Sequence, residues 1–73
     1  LDLSWQQAIL PVLKFFSERT PGSFVEEDET HLTWHYRNAD PEFGRVQAHE
    51  LQLHLDTFFA KLPIAVESSK RNK

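Results

Sequence analysis

Between positions 32 and 37 the chain alternates without a break: Leu32, Trp34 and Tyr36 are apolar, while Thr33, His35 and Arg37 are polar. A period of two specifies a strand with one face buried and the other solvated. Phe24 to Asp28 reads as a second strand, and the pair forms a hairpin. With Glu29-Thr30 as a two-residue loop, Asp28 pairs with His31, Glu26 with Thr33 and Phe24 with His35. One face then carries Val25, Leu32, Trp34 and Tyr36, with Glu27 at its end. The other carries Phe24, Glu26, Asp28, Thr33, His35 and Arg37. The first is a core face; the second is polar and mixed in charge. Glu29-Thr30 is not among the preferred two-residue hairpin pairs, so a longer loop stays open.

The core face needs a cover, and two amphipathic helices flank the hairpin. Ser4 and Gln7 fit a capping box at the start of the first. Trp5, Ile9, Val12, Leu13 and Phe16 follow on one stripe. Pro11 lies inside it, which predicts a bend near Leu10 or a helix that properly begins there. Thr20-Pro21-Gly22-Ser23 turns the chain. The second helix has Asp40 as N-cap, Pro41 at its first position and Glu42 at the positive end of its dipole. Gly44 weakens that first turn and shifts the expected regular start towards Arg45. Ala48, Leu51, Leu55, Phe58 and Phe59 form the apolar stripe, and Leu62-Pro63 ends it. Ile64-Ala65-Val66 reads as a third strand. The order helix, strand, strand, helix, strand predicts an α+β open-faced sandwich, with both helices on one face of a small sheet and the polar face uncovered. The end, Ser68 to Lys73, reads as a turn feeding a further segment, and the start, without Met, as an internal cut.

Seventy-three residues suffice for one small domain. The absence of Cys excludes disulfides and thiolate metal sites and fits a reducing compartment. The formal net charge is −3, and Lys70, Arg71 and Lys73 supply three of the eight basic residues. The body is therefore strongly acidic, which argues against a nucleic-acid surface. No apolar run approaches the roughly 20 residues of a membrane span, and no signal-peptide layout is present at the start.

Few residues suggest chemistry. The four His show no metal-ligand spacing, and there is no phosphate-binding glycine loop or nucleophile elbow. The acidic run Glu26 to Glu29 is a poor catalytic pair, because neighbours in a strand point to opposite faces. The best candidate site is Glu26, Asp28, His35 and Arg37 on the open face. A carboxylate accepts from two sugar hydroxyls and a guanidinium donates a fork of bonds, so such a face suits a polyhydroxylated ligand. The plain alternative is a solvated strand face. A third reading, an RNA-binding sheet, has only Phe24 and His35 to stack on bases.

Several stretches resemble one known family: Arg19-Thr20-Pro21-Gly22-Ser23, Val25-Glu26-Glu27, the run Thr33 to Gly44, and Gln47-Ala48-x-Glu50-Leu51. From about Leu3 to Val66 the chain is similar to the cap region of trehalose-6-phosphate phosphatases, members of the haloacid dehalogenase superfamily. The resemblance implies a magnesium-dependent catalytic core elsewhere in the same, longer chain, with an aspartate nucleophile. It implies a cap that closes over that core and grips the sugar of trehalose-6-phosphate, and a cytoplasmic protein. Carried over by position, the sugar contacts are Glu26 on the first strand and Arg37 ending the second. Asp28 stands where the family has a Lys, and Lys70 or Lys73 matches a later Lys; no catalytic or metal-binding residue falls in these 73. The 73 residues are then one cap domain, with a further strand after residue 73, and no enzyme by themselves. The competing implication is a regulatory, inactive phosphatase-like domain working with a trehalose-6-phosphate synthase, for which Asp28 is the motive.

Overall fold

The structure, a computed structural model, describes residues 4–62 together with 65 and 66. Four elements follow in order: α1 (Ser4–Arg19), β1 (Phe24–Glu27), β2 (Leu32–His35) and α2 (Pro41–Phe58). Among the described residues the sheet is a single antiparallel pair. Its register is the one expected from the alternation: Phe24 opposite His35, Val25 opposite Trp34, Glu26 opposite Thr33 and Glu27 opposite Leu32. The Asp28 N–H donates to the His31 carbonyl at 2.9 Å, so Glu29-Thr30 is indeed the two-residue loop.

α1 runs unbroken across Pro11, so it does not begin at that residue. Pro11 deprives the Gln7 carbonyl of its helical donor, but both residues are exposed, and water can take the donor's place. The stripe of α1 is the expected one: Ile9, Leu13 and Phe16 are buried, with Trp5 and Val12 packed beside them. The turn after α1 is fixed by the Ser23 N–H donating to the Thr20 carbonyl at 3.0 Å, with Gly22 at φ +94°. Pro followed by a positive-φ Gly is the signature of a type II turn.

α2 begins at Pro41 rather than Arg45. Asp40 caps it, its Oδ2 accepting from the Phe43 N–H at 2.8 Å. Gly44 is buried and sits where a Cβ would come within 2.9 Å of the Tyr36 ring. Gly44 is thus a packing requirement and not a weak first turn. Leu51 and Leu55 complete the core with Ile9, Leu13 and Phe16, and Val25, Leu32, Trp34 and Phe59 pack against them. Phe58, expected in the stripe, is instead 67% exposed. It lies in the last turn, where no further layer among the described residues covers it, and its ring leans on His54.

The two helices share the core unequally. The backbone of α1 lies close to both strands and to α2, whereas α2 comes close to α1 alone and meets the hairpin through the apolar cluster. Trp34 ties β2 to α1 directly: its indole Nε1 donates to Ser17 Oγ at 3.1 Å, giving a half-buried polar edge its partner. Of the third strand expected at Ile64-Ala65-Val66, Ala65 and Val66 are described outside any strand, with Val66 against the core, and Ile64 lies outside the described residues.

Candidate functional site: the open face of the hairpin

Pleating sends Val25, Leu32 and Trp34 inward and Phe24, Glu26, Thr33 and His35 outward. α1 covers only the inner side, so among the described residues the outer side is an uncovered polar surface. At its centre His35 Nε2 and Glu26 Oε1 are 2.7 Å apart. The two residues sit diagonally across the ladder, and the pair is partly solvated, with side-chain exposures of 33% for His35 and 65% for Glu26. Phe24, directly opposite His35, stacks on its ring at 4.7 Å between centroids and 21° between planes. Phe24, His35 and Glu26 therefore form a continuous row.

The other candidates are placed differently. Asp28 sits at the hairpin tip, where its Oδ1 accepts from the Glu29 N–H at 2.6 Å. Its carboxylate is engaged in shaping the loop, a local role typical of Asp in turns. Arg37 is exposed in the turn beyond β2, which ends at His35. Strand alternation therefore no longer fixes which way it faces, although it remains two residues from His35. Lys70 and Lys73 lie outside the described residues. His31 keeps to the tip with Thr30 Oγ1, 2.8 Å from its Nδ1, away from the His35–Glu26 pair. His54 packs between the rings of Phe16 and Phe58.

One participant in the hairpin was invisible to pattern reasoning. Gln6, on α1, donates from Nε2 to the carbonyls of Asp28 (3.1 Å) and Glu29 (2.9 Å). No local spacing signals a bond across more than twenty residues. The Phe24–His35 stack, in contrast, was available from the register, which sets the two opposite each other.

Among the described residues no three His, Asp or Glu side chains come together in a way that could hold a metal ion. No helix among them is long and apolar enough to cross a membrane.

The family model described as trehalose-phosphatase matches residues 1–72. The chain belongs to the trehalose-phosphatase family. Similar curated proteins include the alpha,alpha-trehalose-phosphate synthase (UDP-forming) A of Dictyostelium discoideum, 64% identical over 56 residues, which are 77% of this chain and 8% of that protein. The trehalose-phosphatase of Zygosaccharomyces rouxii is 45% identical over 71 residues, 97% of this chain and again 8% of the relative. Among solved structures, trehalose-6-phosphate phosphatase of Aspergillus fumigatus matches with a TM-score of 0.90 and 44% identity, over 96% of this chain and 26% of that one. The C-terminal domain of the Candida albicans trehalose-6-phosphate phosphatase matches with a TM-score of 0.80 and 43% identity, over 84% and 21%. The present chain thus spans a small part of the trehalose-phosphatase relatives it matches, and its α+β fold is that of a region within the solved phosphatases.

Proposed function

We propose that these residues form the substrate-specificity cap of a magnesium-dependent phosphatase that hydrolyses trehalose-6-phosphate to trehalose and phosphate. The observation that carries this reading is the outer face of the hairpin, uncovered among the described residues, with Glu26 at its centre; Arg37 follows two residues after His35, which ends β2. Glu26 accepts sugar hydroxyls and Arg37 donates to them. Magnesium and the phosphoryl-transfer residues belong, on this reading, to a catalytic core in the same longer protein.

The cap acts at a distance from phosphorus. Binding energy gathered from the sugar holds the closed state, and closure orders the phosphate against its nucleophile and excludes water. A sugar lacking the right hydroxyls leaves polar groups on the cap unpaired, and discrimination follows.

The test is phosphate release by the full-length protein with magnesium, offered trehalose-6-phosphate, glucose-6-phosphate and sucrose-6-phosphate side by side. Selective release from trehalose-6-phosphate is expected. Arg37→Ala should lower kcat/KM on that substrate by on the order of tenfold, the loss of one hydrogen-bonded charge. An unchanged Arg37→Ala would remove Arg37 from the sugar site. No release from any of the three by a folded protein would favour a regulatory domain acting with a trehalose-6-phosphate synthase instead.

A further inference from the structure

We propose that His35 is a positioning residue for Glu26, held in place for that task by Phe24; the inference rests on the reading of Glu26 as a sugar contact. A glutamate on a solvated strand has three side-chain torsions, and ordering them on binding costs affinity. Here the ordering is already present. Glu26 Oε1 lies 2.7 Å from His35 Nε2. A carboxylate only accepts, so Nε2 carries the hydrogen and donates. The imidazole is in turn held flat against the Phe24 ring, 4.7 Å away and 21° from parallel. Phe24 and His35 are direct cross-strand partners, and Glu26 follows Phe24 by two on the same face. Rigid backbone pairing therefore sets all three side chains.

The consequence is a division of labour between the two carboxylate oxygens. Oε1 is committed to His35, which leaves Oε2 free to accept a ligand hydroxyl in a fixed direction. Nothing in the fold needs the bond: both side chains stand on the uncovered face, and neither residue belongs to the buried cluster.

The test is a double-mutant cycle in the full-length protein, read as KM and kcat on trehalose-6-phosphate, or as calorimetric affinity for it if turnover is absent. Glu26→Ala should raise KM by on the order of tenfold or more, and His35→Ala by a similar factor. The double variant should be no worse than Glu26→Ala alone, because His35 acts through Glu26. His35→Gln, which keeps an N–H donor, should recover much of the loss. His35→Phe keeps a flat ring against Phe24 but no donor, and should behave like His35→Ala. Glu26→Ala without effect would overturn the sugar-contact reading itself. An impaired Glu26→Ala beside an unaffected His35→Ala, additive losses, or a wild-type His35→Phe would overturn the positioning role alone.

Discussion

Gly22 shows how much one residue decides. Its φ of +94° lies where only glycine is unstrained, and a Cβ there would sit 2.3 Å from the Asn38 carbonyl oxygen, a backbone atom that cannot swing aside. Gly22→Ala should therefore destabilise by more than the ~1–3 kcal/mol of the backbone strain alone; a lowered urea midpoint checks this. Gly44 is a milder case, since the atom a Cβ would meet belongs to the Tyr36 ring, and that side chain is partly exposed. Legibility at this scale was uneven. Asp40 and Pro41 announced the start of α2 because capping is local chemistry written in adjacent residues. Gly44 misled, because its reason lies in Tyr36, eight positions away. Gln47 was missed as a core residue: it is 5% exposed, and hydrophobic periodicity passes over a buried amide.

At the scale of elements, the hairpin loop is the instructive part. Glu29-Thr30 is an unfavourable pair for this turn, and among the described residues no non-glycine residue has positive φ. The loop is therefore neither of the primed types that suit the twist of a hairpin, both of which need positive φ. What holds it is partly external, the two bonds from Gln6, and partly local, the Asp28 carboxylate on the Glu29 N–H. Gln6→Ala should leave the strands paired but loosen the tip, at a cost of up to ~1 kcal/mol because water replaces exposed bonds. Faster hydrogen exchange at the Glu29 N–H, with the Glu26 and Thr33 amides of the paired ladder unchanged, is the expected signature. The register itself was fully legible, because a period of two with an apolar side tolerates no slip by one residue. Phe58 was misplaced because a helical stripe identifies a face and says nothing of whether anything reaches its last turn. Of the site, Glu26 and His35 were legible as neighbours on one face. Their bond followed from the diagonal geometry, and the role of Asp28 in the loop did not.

At the scale of the molecule, the core is small: Ile9, Leu13, Phe16, Leu51 and Leu55 are its buried centre. A chain of this length has ~4–11 kcal/mol of stability to draw on. Leu13→Ala should cost ~2–5 kcal/mol, a large share of it. Thermal unfolding followed by the fluorescence of Trp5 and Trp34, both packed around this core, should show an earlier transition. If the melting point stays put, the centre of the core has been assigned to the wrong residues.

The hairpin is fastened at both ends. Gln6 grips its tip, and at its base the turn carrying Gly22 lies in backbone contact with Asn38 and Ala39. Between these points Trp34 is bonded to Ser17 in the middle of β2. Held at three points, the hairpin is braced against bending on its own. A load on the outer face is passed to α1, which carries both Gln6 and Ser17. The hairpin and α1 thus form one braced piece, and α2 feels a load on Glu26 only through the apolar cluster it shares with them.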